Sequence, residues 1–589
     1  MPSNPELYFE FADKEGNLIP RQFQNPVAVI EVKKVHDIEA AFTRIEQYVV
    51  DGYYAAGYVA YEAAPAFDHA FQVNQQEEGS APLMWFGIFN EPVHERLSMD
   101  ETASYEVKDW SIDVDYESYN DRIQKVKQAI EAGDTYQLNY TTRLRTLFKG
   151  NARAFFQQLH ANQQASYSAY LDLGSYQVLS ASPELFFHKY GDQLVTKPMK
   201  GTIKRGTTLQ EDNRLKDELY HSEKNRSENL MIVDLLRNDV GRMATPGSVK
   251  VPKLFSVETY PTVHQMTSTI TGTIDPDIEL YQLFKNLFPC GSITGAPKVK
   301  TMEYIASLEE SKRQVYCGAI GFITPEREAI FNVPIRTVLI DSTTGIAEYG
   351  SGGGITWEST SHGEYEELYT KAKLLSEQRP DFRILESIRW DGGVYQHIHL
   401  HMQRMEDSAR YFGYPFQSEK FIEALTQFSQ QLGSGPYKIR LTLSREGEFH
   451  VEAEEIKAEI TNAKCARAKF PVPSNDPFLY HKTTYRHVYN VHKENAPSDA
   501  FSVLLWNERH EITEFTIGNV VLQIDGHYYT PPIQSGLLGG VYRKKLLDEG
   551  TIEEKTLYVT MLEQADSIWM INAVRGWVKV SLSGESTPQ

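Results

Sequence analysis

The stretch Lys197-Pro198-Met199-Lys200-Gly201-Thr202 follows the apolar pair Leu194-Val195, which indicates a β-strand. Pro198 ends that strand, because proline has no N–H to donate to a neighbouring strand. Gly201 allows the backbone to approach a ligand closely. Lys200 is therefore a candidate functional residue, although a lysine beside a glycine at a strand end is more often a solvated charge.

A second short motif, Ser182-Pro183-Glu184, ends another strand-like run sixteen residues before Lys200. A lysine and a glutamate on neighbouring strands can act as nucleophile and general acid when partial burial tunes their pKa values. Pro-x-Lys-Gly-Thr after Ser-Pro-Glu at this spacing resembles the chorismate-utilising enzymes, and within that family the aminodeoxychorismate synthase component I group. The resemblance extends over roughly the first 375 residues.

The resemblance implies an α/β (α+β) fold with large antiparallel sheets and the amination of chorismate at C4 to 4-amino-4-deoxychorismate. It gives Lys200 the role of nucleophile and Glu184 the role of acid. Anthranilate synthase is the alternative, and Lys200 disfavours it because that group typically has alanine at this position. Isochorismate synthases carry a lysine base where this chain has Gln137, so hydroxylation of the ring is disfavoured as well.

Glycine-rich and basic motifs supply the candidate substrate site. The loop 288–298 contains Gly-Ser-Ile-Thr-Gly-Ala-Pro-Lys, and the N–H groups of such a loop can bind an anion. By resemblance, Arg336 binds a substrate carboxylate, for which the planar guanidinium is well suited. His264 is near the family's active-site histidine, with a register offset by one from anthranilate synthases. The resemblance thus assigns substrate binding to Gly201, Thr202, His264, Arg336, Gly353 and Gly354.

Three glutamates form a candidate magnesium site. Glu364 and Glu367 open a predicted helix and share one face, because they are three residues apart. Acidic residues in a first turn often interact only with the helix dipole. The resemblance matches Glu228 and Glu367 to the family's magnesium ligands, with Glu364 close by. Mg²⁺ takes few protein carboxylates and keeps several waters, so it suits a site where it also contacts a substrate carboxylate.

Composition limits the class of protein. The chain has 589 residues, which is too many for one hydrophobic core and predicts at least two domains. A net charge of −20 argues against a nucleic-acid surface, and no apolar run is long enough to span a membrane. The N-terminus lacks the features of a signal peptide, and three cysteines suggest a reducing compartment, so we expect a cytoplasmic protein.

The three cysteines also bear on nitrogen supply. None of them stands in the Gly-x-Cys-x-Gly turn that a class I glutaminase uses as its nucleophile. The resembled enzymes aminate chorismate with ammonia. We therefore expect a separate glutaminase subunit as partner, with chorismate as the small-molecule substrate.

The sequence predicts two domains, 1–376 and 384–589, joined by a linker at 377–383, where a charged helix end is followed by proline. In the second domain, Lys482 stands between polar neighbours and Arg404 lies in a predicted helix. Taken singly, each is more often a solvated residue. Together they resemble the fold-type IV pyridoxal-phosphate enzymes, particularly the aminodeoxychorismate lyase group.

That second resemblance implies pyridoxal 5′-phosphate as a cofactor. Lys482 matches the lysine that binds it covalently, Arg404 matches a phosphate ligand, and Glu514 matches the carboxylate that pairs with the pyridine nitrogen. The phosphate loops correspond to Gly540-Val541-Tyr542, where the family has Gly-Ile-Thr, and to the loop at Ala573. A homodimer through this domain is a further expectation.

The whole chain is interpreted as a fusion of two enzymes that lead to p-aminobenzoate in folate biosynthesis. The first half would aminate chorismate, and the second would eliminate pyruvate from the product. Branched-chain and D-amino-acid aminotransferases share the motifs of the second half, so the lyase interpretation rests partly on its neighbour in the chain, an associational argument. A non-catalytic dimerisation module is the remaining alternative, which Lys482, Glu514 and Arg404 disfavour.

Overall fold

The computed structural model describes residues 4–74, 79–98, 102–377, 379–456, 460 and 462–582. Residue 378, in the predicted linker, lies outside the described residues. The chain divides into two compact units. The first contains residues 1–204 and 216–379, and the second contains 205–215 and 380–589. The prediction of two contiguous domains did not anticipate that 205–215 would group with the second unit.

The first unit is built from long strands and helices that connect them. Its strands are β1 (Glu6–Ala12), β2 (Leu18–Gln24), β3 (Ala28–Val32), β4 (Tyr54–Val59), β5 (Met84–Phe89), β6 (Tyr105–Val107), β7 (Ser111–Ile112), β8 (Gln137–Gly150), β9 (Tyr167–Asp172), β10 (Tyr176–Ser182), β11 (Leu185–Tyr190), β12 (Gln193–Lys197), β13 (Met199–Lys204), β14 (Lys250–Thr259), β15 (Val263–Thr273), β16 (Gly295–Ala296), β17 (Ala319–Ile323), β18 (Ala329–Asn332), β19 (Thr337–Asp341) and β20 (Ile346–Ile355). Its helices are α1 (Ile38–Val50), α2 (Tyr116–Glu131), α3 (Ala152–Gln163), α4 (Leu209–His221), which begins in residues of the second unit, α5 (Glu223–Gly241), α6 (Leu280–Leu287), α7 (Lys298–Leu308) and α8 (Ser361–Ala372).

Two ten-stranded sheets form the framework of this unit. One has the order β16-β8-β20-β19-β10-β9-β1-β2, with β6 and β7 also paired to β8. The other has the order β13-β15-β12-β11-β18-β17-β4-β5-β3, with β14 also paired to β15. The strand pairs described in both sheets are antiparallel. The predicted fold class, with large antiparallel sheets, is confirmed.

The two sheets pack against each other through aromatic side chains. Phe9 and Phe11 of β1 contact Phe322 of β17, with ring centroids 5.5 and 5.8 Å apart. These side chains are fully or almost fully buried, because alternate residues of each strand point into the layer between the sheets. This apolar layer fixes the sheets and therefore the ends of the strands that carry the polar residues described below.

The second unit adds a small sheet and a larger one. Its strands are β21 (Ile384–Asp391), β22 (Val394–Tyr395), β23 (Pro436–Leu443), β24 (Phe449–Glu455), β25 (Asn462–Arg467), β26 (Val503–Trp506), β27 (Ile512–Phe515), β28 (Gly518–Ile524), β29 (His527–Thr530), β30 (Glu553–Glu554), β31 (Ser567–Asn572) and β32 (Gly576–Leu582). Its helices are α9 (Ile398–Phe412), α10 (Ser418–Ser429), α11 (His487–Glu494) and α12 (Val541–Asp548).

The small sheet has the order β22-β21-β23-β24, and the larger has the order β27-β26-β25-β32-β31-β28-β29-β30. A further pairing of β27 with β28 closes six strands of the larger sheet into a ring. Parallel pairs join β25 to β26 and to β32, so this unit mixes both strand directions. Among the described residues, no helix combines the length and the apolar character needed to cross a membrane.

Candidate active sites

A cavity of about 330 Å³ in the first unit brings most of the predicted residues together. Strand β13, helix α5, strand β20 and helix α8 contribute to its wall. The predicted residues that line it are Glu184, Lys200, Gly201, Thr202, Glu228, Arg336, Gly353, Gly354, Glu364 and Glu367. Residues from distant parts of the sequence thus form one polar pocket.

Lys200 lies partly buried in this cavity, on β13. Burial lowers its pKa below the usual value, while the negative charges of Glu228 and Glu184 oppose the shift. The Lys200 carbonyl accepts a hydrogen bond from Asn229 Nδ2 at 3.4 Å, which ties the strand to α5. The backbone at Lys200 is therefore fixed beside α5, and the neutral, nucleophilic form of its amine is more accessible than that of an exposed lysine.

Glu184 directly precedes β11 and is 2% exposed. Burial raises its pKa to about 7, although Ser292 and the charge of Lys200 act in the opposite direction. Its Oε1 atom is buried and has no hydrogen-bond partner among the described residues. A carboxyl with this pKa keeps part of its protonated form at neutral pH, and it can donate that proton to a bound substrate.

Gly354 closes the space around Lys200. A Cβ atom at this position would lie 2.1 Å from Gln137 Nε2 and 2.4 Å from Lys200 Nζ. Gln137 is completely buried, and neither of its amide atoms has a hydrogen-bond partner among the described residues. Only glycine leaves room for both side chains, so the glycine strand sets the shape of the pocket beside Lys200.

The three predicted magnesium ligands face the same cavity from two helices. Glu228 is on α5, which begins after the Ser222 cap, and Glu364 and Glu367 are on α8. A Cβ atom on Gly353 would lie 3.1 Å from Glu364 Oε2 and 4.0 Å from Glu367 Oε1, so the two carboxylates converge.

The pKa values of these carboxylates are shifted in different directions. Burial raises the pKa of Glu228 and of Glu364. Lys371, 2.6 Å from Glu367, lowers the pKa of that glutamate. The described residues contain no cluster of three His, Cys, Asp or Glu ready to enclose a metal. An oxygen-only set open to substrate still fits Mg²⁺, which uses one or two protein carboxylates and completes its shell with water and ligand oxygens.

Arg336 and His264, both predicted to bind substrate, differ in their position relative to the cavity. Arg336 lines the cavity and donates a hydrogen bond to the Lys371 carbonyl at 2.7 Å. His264 is completely buried on β15, its Nδ1 atom is 3.1 Å from Thr259 Oγ1, and it does not line the cavity. Its neighbour Gln265 does, because successive side chains of a strand point to opposite faces. The structure therefore does not place His264 against the substrate space.

A second cavity, of about 360 Å³, lies within the second unit. All the residues predicted to hold the cofactor line it: Arg404, Lys482, Glu514, Gly540, Val541, Tyr542 and Ala573. They come from five separate segments of the chain. The cavity is large enough for a small ligand and contains basic, acidic and glycine-rich parts.

Lys482 and Glu514 have pKa values shifted toward each other. Burial lowers the pKa of Lys482 to about 7, and the positive charges of Arg404 and Arg486 add to the shift. Burial raises the pKa of Glu514 to about 7. Tyr489 donates a hydrogen bond to Glu514 Oε1 at 2.8 Å. A reactive lysine and an oriented carboxyl in one cavity are the donor set that pyridoxal phosphate requires.

Arg404 is fixed by a buried acidic partner. Glu386 on β21 is 1% exposed, and its Oε atoms accept hydrogen bonds from Arg404 at 2.8 and 2.6 Å. The other neighbour, His401, lies 2.6 Å from Glu386. Burial opposes ionisation of Glu386, but Arg404 and His401 outweigh it and lower its pKa to about 2. The guanidinium is thus oriented before a phosphate binds.

The N-terminus of α12 forms the remaining wall. Gly540 caps this eight-residue helix, and a Cβ atom there would lie 1.9 Å from Asn519 Oδ1. Asn519 in turn donates hydrogen bonds to Glu514 and to the Leu538 carbonyl. The close approach requires glycine, and it leaves N–H groups of the first helical turn available to an anion.

Residues 205–215 pack against Tyr411 of α9. The Arg205 guanidinium lies over the Tyr411 ring at 4.4 Å, and Tyr411 donates a hydrogen bond to the Gly206 carbonyl at 2.7 Å. The Tyr411 ring stacks on His481 with centroids 4.2 Å apart. Burial lowers the pKa of His481 to about 3, so it stays neutral and packs as an aromatic ring. The residue next in the chain is Lys482.

Comparison with known proteins also separates two parts of the chain, with residues 205–215 inside the first matched region. Residues 4–377 match the family model of the chorismate binding enzyme, and the chain belongs to that family. Residues 383–582 match the model of amino-transferase class IV. The chain is therefore a fusion of these two kinds of sequence.

Individual relatives of the chorismate-binding region have more specific names than the family. The chain is 39% identical over 270 residues to aminodeoxychorismate synthase component 1 of Escherichia coli (strain K12), covering 46% of this chain and 59% of the relative. It is 35% identical over 268 residues to anthranilate synthase component 1 of Aquifex aeolicus, covering 46% of this chain and 54% of the relative. It thus spans little more than half the length of these curated relatives.

A solved structure supports the fold alone. The crystal structure of anthranilate synthase component I from Streptococcus pneumoniae superposes with a TM-score of 0.54 at 23% identity, covering 64% of this chain and 93% of that one. This agrees with the antiparallel framework described above for the first unit.

Several cavity residues were not predicted from the sequence. In the first cavity they include Asn139, Lys224 and Lys371. In the second they include Lys438, Arg440, Arg486 and Arg575. Lys438 and Arg440 alternate with apolar residues in β23, a pattern that does mark one polar face of a strand but does not say what that face contacts.

Proposed function

We propose that the chain aminates chorismate at C4 to give 4-amino-4-deoxychorismate and then eliminates pyruvate from it to give p-aminobenzoate. The observation that carries this proposal is the pair Lys200 and Glu184, which face one cavity with pKa values shifted in opposite directions. A lysine nucleophile separates this activity from that of anthranilate synthases, whose resemblance to the chain is otherwise close.

In the first reaction, the neutral Lys200 amine adds to C2 of chorismate, the ring double bond shifts, and the C4 hydroxyl leaves as water with a proton from Glu184. Ammonia then adds at C4, and the double bond shifts back as the lysine nitrogen leaves C2. One difficult substitution becomes two easier ones. Arg336 and the glycine strand around Gly354 would orient the substrate.

Glu228 and Glu367, with Glu364 nearby, would hold Mg²⁺ in this site. The ion would offset the repulsion between these carboxylates and a carboxylate of chorismate.

Ammonia would come from a separate glutaminase subunit, since the chain has no glutaminase nucleophile motif. In the part of the chain that the structure describes, all three cysteines are buried, and burial raises the thiol pKa of each.

In the second reaction, pyridoxal phosphate would supply an electron sink that acidifies the proton at C4 of the aminodeoxychorismate. Lys482, with its pKa near 7, would take that proton. Glu514 would hold a proton at the pyridine nitrogen, and Arg404 with the N-terminus of α12 would hold the phosphate. Loss of the enolpyruvyl group as pyruvate makes the ring aromatic, which drives the step forward.

The experiment that tests the proposal supplies the purified chain with chorismate, ammonia and Mg²⁺, and identifies products by mass with and without pyridoxal phosphate. We expect aminodeoxychorismate without the cofactor, and p-aminobenzoate with one equivalent of pyruvate when it is present. The Lys200→Ala variant should bind chorismate yet form no aminodeoxychorismate. Formation of anthranilate, or turnover by Lys200→Ala near the parent rate, would reject the first part. A requirement for a 2-oxo acid acceptor would reject the lyase.

A further inference from the structure

The second cavity carries an excess of positive charge. Glu514 is the single carboxylate among the described residues that line it. The basic side chains in its wall are Arg404, Lys438, Arg440, Lys482, Arg486 and Arg575. A cavity with this balance concentrates anions.

The phosphate of the cofactor would neutralise only part of the positive charge of this cavity. Arg404 is already paired with Glu386, and Lys482 with a pKa near 7 is only partly charged. A phosphate carries about −1.5 to −2 at neutral pH, which offsets about two of the remaining four cations. The cavity therefore has capacity for further negative groups on the substrate.

Of the six basic residues in the cavity wall, Lys438 and Arg440 lie on a β-strand, β23. They alternate on β23 with Ile439, which is completely buried in the core of the small sheet, so both basic side chains lie on the opposite face. Ser387 pairs with Arg440 in the neighbouring strand β21 and also lines the cavity. This face of the small sheet is one wall of the site.

The ion pairs that these two cations already make are weak. Lys438 lies 3.3 Å from Glu454 and Arg440 lies 3.1 Å from Glu452, across to β24. The side chains of both cations are more than 40% exposed, so solvent screens these pairs. Neither glutamate lines the cavity. Turning the two cations toward a bound carboxylate therefore costs little.

We propose that Lys438 and Arg440 bind a carboxylate of the substrate and make the second site selective for amino compounds with two carboxylates. This deepens the proposed lyase function and rests on it, because 4-amino-4-deoxychorismate carries two carboxylates. A monocarboxylic amino acid would leave part of the basic wall without a counter-ion. The wall thus favours the dicarboxylate over the usual substrates of an aminotransferase.

The test compares glutarate with valerate, a diacid and a monoacid of equal chain length, as ligands of the full chain loaded with pyridoxal phosphate. Isothermal titration calorimetry gives both dissociation constants. We expect glutarate to bind at least about tenfold more tightly than valerate, since one charged hydrogen-bonded contact commonly contributes that much. The Lys438→Gln/Arg440→Gln double variant should bring the ratio close to one, while cofactor absorbance stays that of the parent.

A matched control removes two exposed cations outside the cavity, Lys464 and Arg410, which pair with Asp499 and Glu406. The Lys464→Gln/Arg410→Gln variant should keep the parent ratio, which separates a local contact from a change in net charge. An unchanged ratio in the Lys438/Arg440 variant, or equal loss in the control, would overturn the proposal.

A kinetic measurement separates this inference from the proposed function. If the parent releases pyruvate from aminodeoxychorismate, the Lys438/Arg440 variant should raise KM at least about tenfold with a smaller change in kcat. Pyruvate release with unchanged KM would reject the role of the two cations and leave the lyase intact. No pyruvate release, together with diacid selectivity that disappears in the variant, would reject the lyase and retain the anion-binding wall.

Discussion

At the scale of single residues, the proposed amination requires a protonated carboxyl and a neutral amine in the first cavity. Glu184, the proposed acid, has a pKa raised by burial to about 7. Lys200, the proposed nucleophile, has a pKa that burial lowers from the usual lysine value. The reaction therefore needs a pH low enough for one group and high enough for the other.

We expect the amination rate to fall as pH rises through about 7, because the Glu184 carboxyl loses the proton that it donates to the leaving hydroxyl. Lowering the pH favours the protonated amine of Lys200, which cannot act as a nucleophile. The measurement is kcat against pH, with rates referred to the concentration of NH₃. In Glu184→Gln the alkaline limb should disappear and turnover should drop about 100-fold. A limb at the same pH in that variant would assign it to another group.

Gly354 gives a steric test of the same site. In Gly354→Ala the new Cβ would lie within 2.4 Å of Lys200 Nζ and Gln137 Nε2, so the lysine must move. We expect a loss of amination of about 100-fold, since a displacement of about 1 Å has that effect on a positioned group. Gly241→Ala, where an added Cβ meets nothing within 4 Å, should keep full activity. Circular dichroism checks that both variants are folded.

The residue pattern indicated much of this cavity, because short motifs with glycine and proline restrict the backbone locally. The residue pattern did not indicate which of the adjacent residues His264 and Gln265 faces the cavity. Side-chain alternation in β15 places Gln265 in the cavity and turns His264 away. A sequence match that is offset by one residue in a strand therefore selects the wrong face.

At the scale of elements, β21 and α9 are joined by a buried ionic cluster. Ile384, Glu386 and Ile388 alternate on β21 and all three are buried, so Glu386 occupies a position on the core face. The sequence pattern contains this signal, since a carboxylate in an apolar face needs a buried partner. The partners His401 and Arg404 come from the next helix, and their pairing depends on how the helix packs on the sheet.

We expect Glu386→Gln to destabilise the second unit by about 3 kcal/mol, because removing one partner leaves buried charge uncompensated. Glu406→Gln, which breaks the exposed pair with Arg410 on the same helix, should cost less than about 1 kcal/mol. Urea unfolding, followed for the second unit by its cofactor absorbance, measures both. Equal effects of the two substitutions would contradict the cluster.

The same cluster has a defined pH dependence. The pKa of Glu386 is lowered from 4.5 to about 2 in the folded state, so its contribution is present above the unfolded value and is lost as pH falls toward 2. The stability difference between the parent chain and Glu386→Gln should therefore be constant near neutral pH and shrink in that acid range.

At the scale of the whole molecule, each cavity is lined by residues of one unit. The first is formed by residues between 139 and 371 of the first unit, and the second by residues between 385 and 575 of the second. Sequence motifs predicted both halves because each site uses its own local signatures. They could not predict that residues 205–215 belong with the second unit, since that grouping depends on contacts over about 200 residues of chain.

Two separate cavities predict that two defective full-length chains complement each other. Lys200→Ala should lack amination, and Lys482→Ala should release aminodeoxychorismate without converting it. A mixture of the two variants, with chorismate, ammonia, Mg²⁺ and pyridoxal phosphate, should form p-aminobenzoate after a lag while the intermediate accumulates. The time course is followed by product fluorescence. Failure of the mixture, when each variant retains its own remaining reaction, would mean that the intermediate does not exchange through solution.

The segment 205–215 also limits how the two activities can be divided genetically. A gene shortened to encode only residues 380–589 would omit Arg205 and Gly206. Both contact Tyr411, whose ring stacks on His481. The shortened product would expose to solvent the Tyr411 ring, which stacks on His481, the residue before Lys482. A missense mutation in these eleven codons would map to the first half of the gene and yet appear as a defect of the second enzyme.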